Sequence, residues 1–218
     1  MQPFMGKGFL FSTDSAAKLY HDYAENMPIA DYHCHINPRE IYEDKHFENI
    51  FQVWLSGDHY KWRVMRSNGV DEDYITGDKP AFDRFLKFVE SLELAIGNPM
   101  YHWCHMELQK FFGIYEPLTV ESAERIWNHC NKMLQEDPDM TARGLIKKSN
   151  VAFIGTTDDP IDDLCWHEKI AADSSFDTIV APSFRPDKAI NIHNDGWAAY
   201  MQKLAVSVDK YALLVSVR

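Results

Sequence analysis

The spacing of apolar residues changes along the chain, and each change marks a different predicted element. Residues 14–25 place apolar side chains at helical spacing after Ser12-Thr13-Asp14, whose side chains can cap a helix. The short apolar run that follows Pro28 and is closed by Asn37-Pro38 is typical of a strand. The tract from 38 to 149 has helical spacing, with glycines between its segments. The helices predicted in this tract span 39–43, 47–55, 59–67, 82–95, 99–112, 120–135 and 141–148.

Beyond the helical tract, the pattern changes to alternating strands and helices. Residues 151–157 and 178–184 are predicted as buried strands, and 161–172 and 196–205 as helices. This spacing predicts parallel βαβ units, with 211–215 as a further strand, so the fold class is α/β. Three or four strands are too few to close an eight-stranded barrel, which takes about 250 residues. Because an open sheet leaves its edges unpaired, further chain or a second chain is expected to complete it.

Composition and charge narrow the classes of protein. Hydrophobic residues at 45% and aromatic residues at 13% supply a packed core and argue against a disordered chain. The net charge of −11 disfavours nucleic acid and anionic membrane surfaces as partners. The four cysteines lack CxxC spacing, and neither a signal peptide nor a transmembrane run is found, so a cytoplasmic location is predicted.

His33 and His35 are the first candidates for chemistry. On a strand, side chains alternate, so these two imidazoles share one face while Cys34 points to the other. A pair of imidazoles at a strand end can form half of a metal site or an acid–base pair. The alternative is a chance pair at the surface or in the core, because the chain contains ten histidines.

Several short segments, taken in order, resemble a known family. They are DYHCHINP at 31–38, GDHYKWR at 57–63 with MRSNG at 65–69, GNPMYHW at 97–103, TTDDP at 156–160 and PSFRPD at 182–187. With a helical tract between the histidine pair and the next strand, this series resembles uronate isomerase (glucuronate/galacturonate isomerase), of the amidohydrolase superfamily. The resemblance covers nearly all of residues 1 to about 205.

The resemblance implies an α/β fold, a distorted (β/α)8 TIM-type barrel with a large helical subdomain inserted after the first strand. On this basis, residues 1–37 are the leading helix and first strand, and 38–149 are the inserted helical subdomain. Residues 150–218 would then be further βα units. Only the first three or four barrel strands are expected in this chain, which would end before the barrel closes.

The function implied by the resemblance is that of an intramolecular aldose–ketose isomerase. Family members interconvert D-glucuronate with D-fructuronate, and D-galacturonate with D-tagaturonate, through an enediol. The resemblance implies one divalent metal ion, usually zinc, bound by His33, His35 and an Asp on the last strand, to which no segment of this chain corresponds. The implied partner is a hexuronic acid, and a homo-oligomer is left open.

Three more residues take roles from the same resemblance. His59 and Tyr60 would reach from the helical subdomain over the metal pocket to the substrate, and Tyr60 could shuttle a hydroxyl proton. The alternative is a pair that packs the subdomain against the barrel. Arg185, between a strand and Pro186, could bind the uronate carboxylate bidentately, and the alternative is an ion pair with Asp187.

Two other functions stay open. A metal-dependent hydrolase of the same superfamily would share the His-x-His start, although the GDHYKWR segment and the long helical insert argue against it. The second is a catalytically inert fragment.

Asp158 and Asp159 could be carboxylates that support the site, but a helix cap before Pro160 is the favoured interpretation.

Overall fold

The computed structural model describes residues 4–212, with side chains described through residue 208. The chain divides into two compact units. The helical unit comprises His46–Leu145 and the described part of Met1–Met27, and the sheet unit comprises Pro28–Lys45 and the described part of Ile146–Arg218. The assignment of 1–37, 38–149 and 150–218 to barrel and insertion remains a prediction.

The sheet unit contains a three-stranded parallel sheet. Its strands are β1 (Ile29–Cys34), β2 (Val151–Asp158) and β3 (Ile179–Phe184), in the order β1-β2-β3. The α/β class predicted from the sequence is confirmed at this level. The pairing of β2 with β3 is regular, whereas the register of β1 against β2 shifts twice, between Ile29 and Ala30 and between Asp31 and Cys34.

Among the described residues, four helices lie wholly within the sheet unit, which has a small apolar core. They are α2 (Pro38–Tyr42), α9 (Cys165–Ala171), α10 (Asp187–Ile190) and α11 (Trp197–Ala212). The buried side chains of this core come from α2, α9, the strands, the end of the helix Ala142–Lys148 and the segment that precedes β3. They are Cys34, Ile41, Ile146, Ile154, Ile170, Phe176 and Val180.

In the sheet unit, the predicted start of one helix and the predicted start of the last strand are wrong. The helix predicted at 161–172 begins only at Cys165, because Leu164 adopts a left-handed conformation with φ of 54°. Tyr211 and Ala212, predicted to start a strand, belong to α11. The remainder of that predicted strand, 213–215, lies outside the described residues.

The helical unit is built around one large core. Its helices begin with α1 (Asp14–Leu19), which continues as a π-helical turn over Tyr20–Ala24. The others are α3 (Ile50–Leu55), α4 (His59–Ser67), a 3-10 turn (Glu72–Tyr74), α5 (Ala81–Glu93), α6 (Pro99–Phe112) and α7 (Val120–Glu136). Helix α8 (Ala142–Lys148) begins in this unit and ends in the sheet unit.

Side-chain caps explain where several of these helices begin. Asn49, Asp58 and Asn98 each accept hydrogen bonds from the first backbone amides of α3, α4 and α6. Thr119 forms a reciprocal capping box with Ser122 at the start of α7. Within residues 4–212, no helix combines the length and the apolar character needed to cross a bilayer.

Candidate functional site

His33 and His35 lie side by side at the carboxyl end of β1. Their ring centroids are 5.1 Å apart and their planes are inclined by 79°. Both residues are exposed, whereas Cys34 between them is buried in the core of the sheet unit. The predicted alternation is therefore present, although β1 ends at Cys34 and His35 lies one residue beyond it.

The end of β1 is held against β2 by a side-chain hydrogen bond and by a close approach of the two backbones. The Thr157 hydroxyl donates to the Cys34 carbonyl oxygen at 2.7 Å and lies 3.4 Å from Nδ1 of His35. Two residues earlier on β2, a Cβ on Gly155 would lie 2.5 Å from the Tyr32 carbonyl oxygen. Only glycine allows this approach, so Gly155 and Thr157 together fix the position of the histidine segment.

Arg185 directly follows β3, at the same edge of the sheet as the histidine pair. Its Nε lies 3.5 Å from Oδ2 of Asp187, so the ion pair with Asp187, the alternative to carboxylate binding, is present. The Arg185 side chain is still 51% exposed, and such an ion pair contributes about 0–1 kcal/mol. The contact with Asp187 therefore leaves the guanidinium accessible to a carboxylate of a ligand.

A buried polar cluster of Thr156, Asp158 and His167 lies beside this edge and was not foreseen. The Thr156 hydroxyl donates to Oδ2 of Asp158 at 2.6 Å and lies 2.8 Å from Nε2 of His167. Since the hydroxyl has a single proton, it accepts from His167, whose buried Nδ1 has no partner among the described residues. Asp158 is thus held by a side-chain network and does not cap a helix. The alternation Thr-x-Asp on one strand face was the available signal.

Asp159 has a different role from its neighbour. Its carboxylate accepts from the Tyr200 hydroxyl at 2.8 Å, from the Ile161 amide at 3.2 Å and from Nζ of Lys188 at 2.6 Å. Burial opposes ionisation of Asp159, but these hydrogen bonds outweigh it and lower the pKa of Asp159. Burial and the bond to Asp159 raise the pKa of Tyr200 to about 12. Asp159 therefore connects the end of β2 to α10 and α11.

His59 and Tyr60 form the first turn of α4 in the helical unit, as the sequence predicts. Asp58 caps this helix, and its Oδ1 accepts from the Tyr60 amide at 2.8 Å. The two rings lie 5.9 Å apart, and Tyr60 is 56% exposed with the Arg63 guanidinium 5.4 Å from its ring centroid. The exposed phenol and imidazole can both exchange protons with a ligand.

The donor set permits a partial test of the predicted metal site. Two neutral imidazoles are suitable ligands for zinc, and the positions of His33 and His35 fit that use. Within residues 4–212, no group of three or more His, Cys, Asp or Glu side chains is placed to hold a metal ion. The described residues therefore contain no complete ligand set for a metal ion.

A parallel sheet whose polar side chains gather at the carboxyl ends of its strands is the arrangement typical of α/β enzymes. A family model described as glucuronate isomerase matches residues 1–214. The chain belongs to the glucuronate isomerase family.

Individual relatives agree with this membership. A uronate isomerase from Lachnospira eligens is 56% identical over 219 residues, covering 99% of this chain and 47% of the relative. A uronate isomerase from Bacillus subtilis is 50% identical over 215 residues, covering 97% and 45%. The chain thus spans about half the length of the curated relatives it matches.

Solved structures resemble the same portion. The crystal structure of a uronate isomerase from Thermotoga maritima has a TM-score of 0.87 and 33% identity, covering 94% of this chain and 45% of that one. A glucuronate isomerase from Caulobacter crescentus has a TM-score of 0.76 at 23% identity, covering 84% and 39%, which indicates the fold alone.

Proposed function

We propose that this chain contributes to a uronate isomerase that interconverts D-glucuronate with D-fructuronate, and D-galacturonate with D-tagaturonate. The observation that carries the proposal is the pair of imidazoles 5.1 Å apart at the end of β1, in a chain of the glucuronate isomerase family. The metal-dependent hydrolase loses support, because the matching relatives are named uronate isomerases. The substrate is a hexuronic acid, and a cytoplasmic location remains part of the proposal.

We further propose that the three-stranded sheet is part of a (β/α)8 barrel of the amidohydrolase type. The parallel order β1-β2-β3 and the long helical stretch between β1 and β2 support this. In this proposal, the helical segment between the first two strands is an insertion in the barrel. The strands that close the barrel would come from outside the described residues.

His33 and His35 would hold one divalent metal ion, zinc by preference, through their ring nitrogens. When bound, such an ion polarises substrate oxygens and stabilises negative charge on them. Each imidazole would bind the ion in its neutral form, through a ring nitrogen that carries no proton. The remaining ligands, including a carboxylate, would come from residues outside those described.

Arg185, His59 and Tyr60 would act on the substrate itself. A planar guanidinium binds a carboxylate through two parallel hydrogen bonds, and Arg185 would hold the uronate carboxylate in this way. The isomerisation moves a proton between C2 and C1 of the open-chain sugar through an enediol, while protons also shift between its oxygens. Tyr60 would exchange a proton with a substrate hydroxyl, and His59 would donate a hydrogen bond beside it.

A chimaera tests this function with the residues of this chain. In it, the chain replaces the matching segment of the Lachnospira eligens relative, which is 56% identical. We expect the zinc-loaded chimaera to convert D-glucuronate to its keto acid at a rate comparable with that of the parent. A folded, zinc-loaded chimaera without activity, beside an active parent, would contradict the proposal.

Metal binding provides a readout that does not depend on turnover. We expect His33→Ala and His35→Ala each to weaken zinc binding by the chimaera. The loss should exceed the effect of removing a residue that only hydrogen-bonds to a metal ligand, which is about 10–100-fold. Competition with a chelator measures this affinity. His193→Ala is the matched control, since His193 is an exposed histidine of the same unit. Equal affinities in all three variants would rule out the proposed ligands.

A further inference from the structure

A charged side chain that is buried directly follows the exposed His59–Tyr60 pair in sequence. Lys61 follows Tyr60 in the first turn of α4, but its side chain is only 9% exposed. It points into the helical unit, where its Nζ lies 5.9 Å from the centroid of the Trp54 ring of α3. A lone ammonium in such surroundings is unfavourable, so its partners determine its role.

Asp58 is the partner, and it binds the ammonium and the helix start with the same carboxylate. Its Oδ2 accepts from Nζ of Lys61 at 2.8 Å. Its Oδ1 accepts from the backbone amides of Tyr60 at 2.8 Å and Lys61 at 3.2 Å. Because the carboxylate is planar, fixing Oδ2 from inside the unit also fixes the direction of Oδ1 and therefore the first turn of α4.

The electrostatics of the surroundings keep this connection charged. Burial alone would lower the pKa of Lys61, but the nearby charges of Glu107 and Asp58 outweigh it, and the pKa of Lys61 is raised. Burial opposes ionisation of Asp58 as well, and the contacts with Lys61 nevertheless lower its pKa. Burial raises the pKa of Glu107 despite the nearby ammonium. Asp58, whose pKa is lowered, is therefore the anion that pairs with Lys61.

We propose that Lys61 is a positioning residue for catalysis, which fixes the His59–Tyr60 pair by holding the capping carboxylate of Asp58 from within the helical unit. The inference rests on the function proposed for that pair. Replacing a buried ion pair by apolar side chains of similar volume is often neutral for stability. A buried lysine at this place is therefore better explained by the geometry it imposes than by the stability it adds.

The ion pair of Lys87 and Glu90 on α5 is a matched control. It has the same three-residue spacing and a similar length, 2.7 Å, but its side chains are 37% and 40% exposed. It lies within α5 and contacts no helix cap. Its loss removes one ion pair of the helical unit without touching α4.

The test uses Lys61→Met and Asp58→Asn in the zinc-loaded chimaera. Methionine fills a similar volume without the ammonium, and asparagine keeps a good helix cap without the negative charge. We expect kcat for D-glucuronate to fall by about 100-fold in Lys61→Met, the cost of a small displacement of reacting groups. We expect the Tm of Lys61→Met to fall, because the Asp58 carboxylate loses its ammonium partner, while its zinc content stays close to that of the unmodified chimaera. Lys87→Met should keep its kcat. If Lys61→Met does not fold, Asp58→Asn carries the same test.

Combination with Tyr60→Phe separates positioning from a general loss of structure. If Lys61 acts through the pair, Lys61→Met should reduce kcat by much less in a Tyr60→Phe background than in the unmodified chimaera. A full, multiplicative loss in that background would overturn the inference, as would an unchanged kcat in Lys61→Met.

The inference and the proposed function fail in different ways. Loss of activity in Tyr60→Phe and His59→Asn with full activity in Lys61→Met would overturn the positioning role alone. Full activity in Tyr60→Phe and His59→Asn would overturn the role of the pair, and the positioning role with it. A loss of kcat in Lys87→Met equal to that in Lys61→Met would show a general structural effect and would also overturn the inference.

Discussion

The helical unit and the sheet unit hold their candidate functional residues on very different supports. The helical unit has an extensive core, in which side chains such as Phe85, Phe88 and Leu108 are completely buried. The sheet unit has a small core, and β1 and β3 are the edge strands of the described sheet. An edge strand has a neighbouring strand on one side only. The positions of the β1 histidines therefore depend on individual contacts more than the positions of His59 and Tyr60 do.

In both units, a single polar contact nevertheless links the exposed candidate residues to side chains or backbone further inside the unit. In the helical unit, the connection is Lys61 with Asp58. In the sheet unit, it is the Thr157 hydroxyl on the Cys34 carbonyl oxygen. The comparison indicates that a dense core supplies rigidity in general, whereas one or two partly buried hydrogen bonds set the direction of the candidate side chains.

The largest effect is expected from emptying the helical core. Phe88 is fully buried and packs edge-on against Trp54, with ring centroids 6.0 Å apart and planes inclined by 72°. We expect Phe88→Ala to lower the free energy of unfolding by about 3–5 kcal/mol, measured by denaturant titration. Hydrogen exchange should show loss of protection in α5 and α7 before loss in β2.

Leu94→Ala is the control for this substitution. Leu94 follows α5 and is 76% exposed, so its truncation should change the free energy of unfolding by no more than about 0.5 kcal/mol. Equal destabilisation by both substitutions would contradict the description of one dense core around Phe88.

A smaller effect on stability, but a direct one on the site, is expected at the β1–β2 contact. Gly155→Ala would place a Cβ 2.5 Å from the Tyr32 carbonyl oxygen and 2.9 Å from its carbon. We expect β1 to shift away from β2, at a cost of about 1–3 kcal/mol. Zinc affinity should fall with it, because the shift displaces the segment that carries His33 and His35. Titration with zinc in a chelator buffer measures this loss.

Gly8→Ala is the matched glycine substitution, since an added Cβ there meets nothing within 4 Å. It should leave zinc affinity unchanged. If Gly155→Ala binds zinc as tightly as Gly8→Ala does, then the close approach of β1 to β2 does not position the histidines.

Local signals in the sequence predicted much of the helical unit. The helices at 59–67 and 99–112 have the predicted bounds, because Asp58 and Asn98 cap their starts. Gly113, with φ of 66°, ends the second one. These signals act over a few residues, so a single sequence contains all the information needed to find them.

Two of the features that sequence reasoning missed depend on contacts between different elements, and a third depends on a local backbone conformation. The buried position of Lys61 depends on residues of α3 and α6, and the cluster at Thr156 depends on His167, eleven residues away in sequence. The late start of α9 depends on the left-handed Leu164, for which the sequence has no glycine signal. For the candidate site, the sequence predicted the adjacency of His33 and His35 by alternation, and the roles of Arg185, His59 and Tyr60 stay predictions.

The smallest effect concerns a histidine that belongs wholly to the helical core. His105 is 1% exposed, its Nδ1 lies 2.6 Å from the Tyr101 carbonyl oxygen, and its Nε2 accepts from the Leu118 amide at 2.8 Å. This arrangement requires a neutral ring with the proton on Nδ1. Burial accordingly lowers the pKa of His105 below its ordinary value of 6.5.

The sign of the resulting pH dependence follows from proton counting. Below pH 6.5 the unfolded chain binds a proton at this residue while the folded chain does not, so stability falls as pH drops toward the folded pKa. We expect a slope of up to about 1.4 kcal/mol per pH unit in that window, which His105→Gln should remove. Denaturant titrations between pH 7 and pH 5 measure the slope, with the exposed His193→Gln as the control. His105 lies far inside the core that supports α6. An unchanged slope in His105→Gln would therefore show that the helical unit admits water or a proton at this place. Such a result would weaken the contrast between the two units.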